Sequence, residues 1–453
     1  MIASVAHRGG LEPGAQEYLE RLVSPLTGLQ KNLVVSLRDE VSPKVAVLTG
    51  QLTNVHRLLG MEKALSYHIG GYGTSVEEAM MRVLGETVER YAHMVHPVDR
   101  SRPAERGTLA EMVERHGAEQ VLAVDGLRFF SDEQLARPGF PFRRWRPDAE
   151  LGWTCGVDVA TGEPLWIPAQ LAIVGYLPPR PDVEPRIVPG ITTGTAAHTR
   201  PPLALRSALY ELVQGHVTTG HWYSGRVAPE IVMDERTPAL ARIVRRTLPR
   251  NRARLRFHHL GGQEFGLHVI AGVMESTLEG EVPAAVVGNG ADSDLEAAMY
   301  KAFIECSAMP HMAIVSFAQE GRRAEGGGEG IDNLDDNVFL YSLPENRKVL
   351  DEKFTPDVRV PASLLPDFSR TDVASVTRAI LQPQGTRGGQ GTQGARLALL
   401  DMTSPEIADL GFCVFRFYTP DLLPFGLPSY PPAAHPAFAA FGGLTHERPH
   451  PYA

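Results

Sequence analysis

The chain has 453 residues, of which 43% are hydrophobic, and this is enough for one large folded body or two medium ones. Its formal net charge of −9 gives no support to nucleic-acid binding, and no apolar stretch of about 18 residues indicates a membrane span. We therefore expect a cytoplasmic protein that has neither nucleic acid nor a membrane as a partner. The cysteines, Cys155, Cys306 and Cys413, are far apart, which argues against a disulfide framework or a cysteine-rich zinc site.

After a β-rich stretch, KVAVLTG at residues 44–50, a glycine-rich segment runs into a helical pattern. This segment, SYHIGGYGTSVEEAMMRVLGETVERYAHMVHP, occupies residues 66–97. Ser75 and Glu78 have the spacing of a capping box, which predicts the start of a helix. Apolar residues then recur on one face of the predicted helix, at Val76, Met80, Val83, Leu84 and Tyr91.

Two glutamates of this helix lie near the border of its apolar face. On a helical wheel, Glu86 and Glu89 are about one-sixth of a turn apart, so the carboxylate of Glu86 is expected to be partly desolvated. Arg82, Arg90 and His93 lie near the same side, and a surface row of salt bridges is the simplest interpretation of this helix taken alone. The recurrence of the pattern elsewhere in the chain favours a functional site instead.

A second glycine-to-helix segment, GITTGTAAHTRPPLALRSALYELVQGH, occupies residues 190–216. Pro201 and Pro202 are placed to open its helix, because proline suits the first helical turn. Glu211 and Gln214 follow three positions apart. The apolar face of this helix consists of Leu205, Ala208, Leu209 and Leu212.

A third such segment, GNGADSDLEAAMYKAFIECSAMP, occupies residues 288–310. Ser293 and Glu296 repeat the capping-box spacing, and Glu305 lies deep in the predicted helix. We expect Pro310 to end this helix, since proline lacks the backbone N–H that continuation requires.

Three capped helices thus each carry a glutamate a few turns after a glycine turn. If these helices converge, their like charges require a hard cation with oxygen ligands, and Mg²⁺ fits best. Mg²⁺ with open coordination positions usually accompanies a phosphate chain, and glycine turns at helix N-termini supply N–H donors for one. The residues therefore predict an unusual ATP and Mg²⁺ site.

The rest of the chain alternates loops with short elements. GRRAEGGGEGIDNLDD (321–336) and QPQGTRGGQGTQG (382–394) are loops by composition. Between them we predict a strand at NVFLYSL (337–343) and a short helix at PENRKVLDEKF (344–354). The segments VPAAVVG (282–288) and FCVFRFY (412–418) are β-rich. The mixture of elements predicts an α+β (mixed α/β) fold with one continuous body.

Two histidine pairs resemble metal motifs only superficially. His93 with His96, and His216 with His221, have no HExxH context and no cysteine nearby, so we interpret them as solvated or core histidines. A Walker loop at GGYGTS is also excluded, because the lysine that grips phosphate in such loops is absent.

The three glycine-to-helix segments, in this order, resemble the motifs of the YcaO family. GGYGTSVEEAMMRVLGETVERY is similar to its GGKG turn and EAxERY helix. ITTGTAAHTRPPLALRSALYELVQGH is similar to its SNGxAxG segment and ExxERD helix, and GNGADSDLEAAMYKAFIECSA to its AlxExxQ helix. The resemblance extends over roughly residues 20–453, and the closing PHPYA is similar to the proline-alternating ending of the azoline-forming branch.

This resemblance implies a single YcaO-type body with glycine-turn and capped-helix units around a central ATP and Mg²⁺ site. It also implies three parts: an N-terminal segment packed on the core (1–60), the ATP-binding domain (61–420) and an extended proline-rich tail (421–453). Family members use ATP and Mg²⁺ to phosphorylate a backbone amide oxygen of a peptide, so that a nucleophile can replace that oxygen.

In the azoline-forming cyclodehydratase branch, Cys, Ser or Thr side chains of a ribosomally made precursor peptide attack and give thiazolines or oxazolines, as in antibiotic biosynthesis. The resemblance therefore implies a precursor peptide as substrate, a separate partner protein that binds its leader, and a homodimer. No peptide-docking module with its own sequence signal is visible in the chain.

Carried over residue by residue, the resemblance assigns the expected site. The metal ligands would be Glu86, Glu89, Glu211 and Glu305. The nucleotide-binding residues would be Gly71, Tyr72, Gly73, Arg90, Thr193, Gly194, Glu211, Gln214, Asn289 and Glu305. The tail residues expected to take part in catalysis are Pro449, His450, Pro451 and Ala453, where prolines hold the chain extended and His450 or the terminal carboxylate would move a proton.

The chain departs from the family pattern at several positions. Tyr72 stands where the family has lysine, Gln214 where it has a second glutamate, and Ala308 where it has glutamine; Gly215 and His216 replace arginine and aspartate. Tyr72 is either a wall of the nucleotide pocket or a residue packed against the helix start. Macroamidine formation, thioamide formation and a catalytically silent peptide-binding scaffold remain alternatives to azoline formation.

Overall fold

The computed structural model describes residues 13–36, 42–53, 55–62, 69–123, 127–178, 182–248, 252–320, 334–354, 358–382 and 395–452. The two glycine-rich loops predicted from composition fall mainly outside these ranges, and so does Ala453.

Within the described part of the chain, five helices have ten or more residues. They are α1 (Pro13–Leu22), α3 (Val76–Val95), α7 (Pro201–Tyr223), α8 (Pro238–Thr247) and α9 (Leu295–Glu320). The shorter helices are α2 (Val55–Leu58), α4 (Leu109–His116), α5 (Asp132–Leu135), α6 (Ala169–Ala172), α10 (Leu334–Ser342), α11 (Arg347–Lys353), α12 (Val373–Leu381) and α13 (Pro405–Asp409).

The strands are short and lie between the helices along the chain. They are β1 (Gln30–Val35), β2 (Ala46–Leu52), β3 (Ile69–Gly73), β4 (Ala104–Gly107), β5 (Leu151–Asp158), β6 (Pro164–Pro168), β7 (Thr195–His198), β8 (Glu230–Val232), β9 (Ala253–Gly261), β10 (His268–Ser276), β11 (Ala285–Asp292), β12 (Arg359–Pro361), β13 (Ala398–Asp401) and β14 (Cys413–Tyr418).

These strands form three sheets. One has the order β1-β2-β3, a second β11-β10-β9-β8-β12, and a third β4-β5-β13-β14-β7 with β6 paired to β5. Most pairs are antiparallel, whereas β8 and β12 are parallel. The predicted mixture of helices and strands is confirmed.

Each of the three glycine-to-helix segments is a strand that leads directly into a long helix: β3 into α3, β7 into α7, and β11 into α9. In every case the strand lies at the edge of its own sheet. The prediction that glycines 71 and 73 form a turn is therefore wrong, because they lie in β3, and glycines 288 and 290 lie in β11.

Close packing between strand and helix explains two of these glycines. A Cβ atom at Gly71 would collide with the backbone of α3 at Ala79 and Val83, and one at Gly290 would collide with the backbone of α9 at Ala298. Such contacts involve backbone atoms that cannot rotate away, so both positions require glycine.

The helix starts follow the predicted caps only in part. Ser75 caps α3, since its side chain accepts from the backbone N–H of Glu78. At α9 the prediction of a Ser293 cap is wrong, because the side chain of Asp294 accepts from Ala297 N at 2.8 Å. Glu296 instead accepts from Leu240 N, at the start of α8, at 2.7 Å.

Two further predictions about elements are wrong. Residues 337–343, predicted as a strand, lie mainly in helix α10, because a short apolar run has the same composition in a buried helix as in a strand. Helix α9 continues past Pro310 to Glu320, so the proline removes one backbone donor without ending the helix. The predicted strands at 44–50, 282–288 and 412–418 are confirmed as β2, β11 and β14, and the helix within 344–354 as α11.

The apolar core joins distant parts of the chain. Leu22 and Leu48 share one buried cluster with Met80 of α3, so α1 and β2 pack against the same core as this helix. Phe438 and Tyr452 belong to a second cluster together with Val213 of α7. The division of the chain at residues 60 and 420 stays a prediction.

Candidate functional site

The three strand–helix units open on one cleft of about 730 Å³. Unit β3–α3 contributes one wall, β7–α7 a second and β11–α9 a third. Because each strand is the edge of its sheet and each helix follows directly, the three helices can approach one another without a sheet between them. The predicted cation site required the three helices to converge, and in the structure they do converge on this cleft.

Most of the predicted site residues line this cleft. They are Gly71, Tyr72, Glu86, Glu89, Arg90, Glu211, Gln214, Asn289 and Glu305. Gly73 and Gly194 are not among the lining residues, and Thr193 lines a small neighbouring cavity of about 70 Å³ together with Phe425 and Arg416. A direct contact of Gly73, Gly194 or Thr193 with a nucleotide therefore stays a prediction.

The glutamates of the cleft raise one another's pKa values. Burial, and then the charge of Glu86, raise the pKa of Glu89. Burial raises the pKa of Glu211 to about 8, and the charge of Glu86 adds to this effect. Burial raises the pKa of Glu305 to about 8 as well, with a further contribution from Glu211. Like charges that are held together out of water favour either protonation or a bound cation.

Arg90 lies between the carboxylates of helix α3. Its guanidinium donates to Glu89 at 3.1 Å and forms an ion pair with Glu86. It also donates to Thr192, in the loop before β7. The predicted salt-bridge row on α3 therefore exists in part, but it faces the cleft rather than open solvent.

Arg416 is a second cation behind these glutamates. It is buried in β14, and its guanidinium contacts Thr195 Oγ1 at 3.2 Å and His93 Nε2 at 3.3 Å. Burial lowers the pKa of Arg416 to about 10, whereas the charges of Glu211 and Glu89 oppose this shift. Arg416 thus compensates part of the negative charge from the protein side.

Two amides connect helix α7 and strand β11 beside the glutamates. Gln214 Nε2 lies 2.8 Å from the side-chain oxygen position of Asn289. With the Asn289 amide turned to donate to a carboxylate, its nitrogen lies 3.0 and 3.2 Å from the two oxygens of Glu305. Gln214 stands where the family pattern has a carboxylate. Its contact with Asn289 is between two neutral amides, and it lies next to the contact of Asn289 with the carboxylate of Glu305.

The residues present fit Mg²⁺ with a phosphate chain. Carboxylate oxygens are the ligands that Mg²⁺ prefers, and the like charges of the cleft are the reason a cation would bind there. Within the described ranges, no three His, Cys, Asp or Glu side chains are already arranged around a common metal position. Mg²⁺ usually binds through one or two carboxylates together with substrate phosphates, so a preformed cage is not required.

The C-terminal tail is docked rather than loose. Pro451 and Tyr452 are buried, and the side-chain amide of Asn337 donates to the backbone oxygens of His450 and Tyr452 at 2.8 and 2.5 Å. Tyr341 Oη donates to the oxygen of Pro449 at 2.6 Å. The described end of the tail therefore packs into the interior.

His450 is held on both sides of its ring. Its Nε2 lies 2.8 Å from the oxygen of Gly426, and its Nδ1 lies 3.3 Å from the Asn337 amide. Burial lowers the pKa of His450 to about 4, which favours the neutral ring. A catalytic role of Pro449, His450 and Pro451 stays a prediction, and proton transfer by His450 would require these contacts to break.

The four histidines of the two pairs that resemble metal motifs are core residues. His93, His96, His216 and His221 are all buried. Burial lowers the pKa of His93, of His221 and, to about 3, of His96, so these rings favour the neutral form.

Sequence reasoning missed several residues of the cleft and its surroundings. Lys301 lines the cleft, and Arg416 and Thr195 stand behind the glutamates. A signal for Arg416 was available, because a charged residue inside the apolar run FCVFRFY is unusual for a buried strand and suggests a charged partner. No comparable signal distinguishes Lys301 from other lysines on helices.

Comparison with protein families gave one match. A family model described as "YcaO cyclodehydratase, ATP-ad Mg2+-binding" matches residues 70–423, which is most of the chain. A comparison with curated proteins found no match.

Several solved structures have a similar fold. A heterocyclase in complex with substrate and cofactor has a TM-score of 0.70 at 20% identity, covering 98% of this chain and 58% of that one. This chain thus spans less than two thirds of that heterocyclase.

Two other structures cover their own chains more fully. YcaO from Methanopyrus kandleri, bound with AMPPCP and Mg²⁺, has a TM-score of 0.54 at 21% identity, covering 86% of this chain and 84% of that one. A chain of the E. coli microcin synthetase McbBCD complex has a TM-score of 0.63 at 11% identity, covering 95% and 99%. At these identities the similarity concerns the fold.

Among the described helices, none combines the length and the apolar character that crossing a membrane requires.

Proposed function

The chain belongs to the YcaO family, whose cofactors are ATP and Mg²⁺, and from this we propose that it activates backbone amides of a ribosomally made precursor peptide to form thiazolines or oxazolines. The observation that carries the proposal is the convergence of four glutamates from three strand–helix units on one cleft. The raised pKa values of Glu89, Glu211 and Glu305 are the physical sign of a site that a cation completes.

The chemistry needs a phosphate because an amide oxygen is a poor leaving group. Bound ATP would supply the phosphoryl group for the amide oxygen, and Mg²⁺ would neutralise the charge of its phosphates. A thiol or hydroxyl of Cys, Ser or Thr loses its proton and forms the new bond to the amide carbon. The amide oxygen then leaves as phosphate, the amide nitrogen loses its proton, and the products are the azoline, ADP and phosphate.

The residues of this chain divide that work between them. Glu86, Glu89, Glu211 and Glu305 hold the cation, and Gln214 and Asn289 bind the nucleotide beside it. Arg90 and Arg416 keep the apo cleft stable by neutralising part of the charge of Glu86, Glu89 and Glu211. Groups that are already oriented before the reaction stabilise developing charge without a cost of reorganisation.

A separate protein is proposed to present the peptide. The proposal is supported by the fold that the chain shares with one chain of the microcin synthetase McbBCD complex, of which it covers 99%. The same assembly has been solved with pro-MccB17 bound, again with 99% of that chain covered. A homodimer is part of the same proposal.

Calorimetry with Mg²⁺ and ATP tests the nucleotide site, and mass spectrometry tests the reaction. The purified chain is incubated with ATP, Mg²⁺, a Cys-, Ser- and Thr-rich precursor peptide and a leader-binding protein, both of which are to be sought among the products of the neighbouring genes. Loss of one water per modified residue, dependent on ATP, is expected. ATP turnover should rise when peptide and partner are added, because productive binding assembles the site.

Other outcomes identify the alternatives. Exchange of an amide oxygen for sulfur would show thioamide formation, and loss of water involving the N-terminal amine would show a macroamidine. ATP binding without any change to the peptide would indicate a silent scaffold and contradict the proposed reaction. A parent chain that binds no Mg²⁺-ATP would contradict the whole assignment.

A further inference from the structure

Strand β3 brings no cation to the cleft. Its residues that line the cleft are Gly70, Gly71 and Tyr72. The terminal phosphates of a nucleoside triphosphate carry several negative charges, and binding sites for them usually include a lysine or arginine. The cleft must therefore obtain this charge from another element.

Tyr72 fills the space at this end of the cleft. Its ring packs beside the apolar cluster that contains Phe303 and Val47. Its hydroxyl lies directly over Gly70, where a Cβ atom would come within 2.8 Å of the ring carbon Cζ. Tyr72 thus forms a neutral wall, and its side chain cannot balance the charge of a phosphate.

Among the described residues, the lysine and arginine side chains that line the cleft are Arg82, Arg90 and Lys301. Arg90 forms ion pairs with Glu86 and Glu89, two of the proposed metal ligands. Lys301 Nζ donates to Asp292 at 2.7 Å and to the oxygen of Ala291 at 2.9 Å, which fixes it against β11. These two cations are already paired with acidic or backbone oxygen atoms.

Arg82 is also paired with a glutamate, but among the described residues it makes fewer polar contacts than the other two. Its guanidinium donates through one nitrogen to Glu78 at 3.0 Å, and 41% of its side chain is exposed. An arginine has five N–H donors in a planar fork, so a single contact leaves several for a ligand in the cleft. Arg82 lines the same cleft as Glu305 and Tyr72, and its charge opposes the rise in the pKa of Glu305.

Helix α9 fixes the position of Glu78, the partner of Arg82, through Tyr300. Tyr300 Oη donates to both carboxylate oxygens of Glu78 at 2.7 and 2.8 Å, and Thr74 N donates to it at 3.0 Å. Partial burial opposes the ionised form, but the hydrogen bonds of Tyr300 and Thr74 and the charge of Arg82 prevail and lower the pKa of Glu78. The carboxylate therefore stays charged and keeps hold of Arg82.

We propose that Arg82 is the phosphate-binding cation of this cleft, that it takes over the charge absent from position 72, and that Glu78 and Tyr300 position it. The inference rests on the proposed nucleotide site. It assigns to Arg82 the terminal phosphates of ATP, and to Glu78 a positioning role without contact to the ligand. Lys301 is assigned to the structure of β11 and α9.

Titration calorimetry with Mg²⁺-ATP on the full chain tests this assignment. Arg82→Gln should weaken binding about ten- to a hundredfold, the effect of one charge-assisted contact with a phosphate. Tyr72→Lys in the Arg82→Gln background should restore most of that loss, because it returns a cation to the same end of the cleft. Glu78→Gln should weaken binding less, since the arginine remains but is no longer held.

Arg21→Gln is the matched control, because Arg21 is also 41% exposed and also pairs with a glutamate four residues earlier on a helix, but outside the cleft. It should bind Mg²⁺-ATP like the parent. Thermal unfolding without ligand should be nearly the same for Arg82→Gln and the parent, which shows that the variant folds.

The outcomes separate the two proposals. If the parent binds Mg²⁺-ATP, Glu305→Gln does not, and Arg82→Gln binds like the parent, the role of Arg82 is wrong and the nucleotide site stands. If Lys301→Gln loses binding in place of Arg82→Gln, the phosphate cation is Lys301 and the assignment is overturned. If the parent itself binds no Mg²⁺-ATP, both proposals fail.

Discussion

The cleft and the C-terminal tail both bury polar groups, but they do so in opposite ways. In the cleft, Glu211 and Glu305 are held near other carboxylates, and their pKa values rise to about 8. In the tail, donors meet acceptors: Asn337 binds two backbone oxygens and the ring of His450. Polar groups that are satisfied within the protein stabilise it, whereas groups that repel one another lower stability until a ligand binds.

The same contrast separates a structural role from a functional one. A neutral His450 with a pKa of about 4 has no need of an external partner. The glutamates of the cleft do need one, and a divalent cation with phosphates supplies it. The predictions below test whether the two regions respond in opposite directions to mutation, pH and ligand.

Removing the tail should have the largest effect on stability. Deletion of residues 449–453 exposes the pocket of Tyr452, which is 0% exposed, and leaves Asn337 and Tyr341 without their acceptors. We expect a loss of about 3–5 kcal/mol in the free energy of unfolding, the cost of removing a large buried side chain. Denaturant unfolding measures it, and a truncated chain as stable as the parent would show that the tail is not part of the core.

Neutralising a glutamate of the cleft should have the opposite effect on stability. Glu305→Gln replaces a buried carboxyl group whose ionised form is disfavoured, so at pH 8 and above the apo chain should be equally or more stable, by about 1 kcal/mol. Mg²⁺-ATP binding should weaken about a hundredfold, since even changes outside the ligand sphere cost about 10–100-fold in metal affinity. Calorimetry and thermal unfolding with and without Mg²⁺-ATP check both parts.

Glu77→Gln serves as the control for that variant, because Glu77 lies on helix α3 and does not line the cleft. It should leave both nucleotide affinity and stability near the parent values. A lower apo stability of Glu305→Gln would contradict the picture of repelling carboxylates.

The pH dependence should follow the raised pKa values. Between the ordinary carboxyl value of 4.5 and about 8, the folded state keeps protons on Glu211 and Glu305 that the unfolded chain has released. The stability of the apo chain should therefore fall as pH rises through this window, by up to about 1.4 kcal/mol per pH unit for each group.

Nucleotide binding should show the reverse trend. The cation requires ionised carboxylates, so the affinity for Mg²⁺-ATP should increase from about pH 6 to about pH 8.5 and then level off. Calorimetry in buffers of different ionisation enthalpy counts the protons released. An affinity independent of pH, in a chain that binds Mg²⁺-ATP, would show that the glutamates are ionised before binding.

The smallest effect is expected for the hydroxyl of Tyr452. Among the described residues this buried hydroxyl has no hydrogen-bond partner, so Tyr452→Phe keeps the packing and removes a polar group that has nothing to bind. Stability should change by less than about 1 kcal/mol, toward the more stable side. A large loss in denaturant unfolding would reveal a partner for the hydroxyl and weaken the contrast with the cleft.

Local pattern was sufficient for the elements that carry the glutamates. The Ser75 cap, the apolar face of α3 and the prolines at the start of α7 act within a few residues, and the structure confirms each helix. The three segments, in this order, resemble the motifs of one family, and the family model that matches residues 70–423 confirms that family.

Prediction from local sequence pattern was wrong where the same composition is compatible with two kinds of secondary structure. Glycines 71 and 290 were expected in turns, yet they lie in edge strands and allow close packing on α3 and α9. The run at residues 337–343 was expected as a strand and lies mainly in helix α10. In both cases the deciding contacts come from distant parts of the chain, which single-sequence patterns do not contain.

The sequence by itself therefore determined the family, the long helices and the identity of the carboxylates, since these depend on residues close together in the chain. Only the tertiary structure decided that three sheet edges meet at one cleft, that Arg82 and Arg416 approach its glutamates, and that the tail docks through Asn337. Charges and hydrogen bonds act over a few ångströms in space, whatever the number of residues between the groups. For that reason the sequence alone did not determine which charged groups lie together in the cleft.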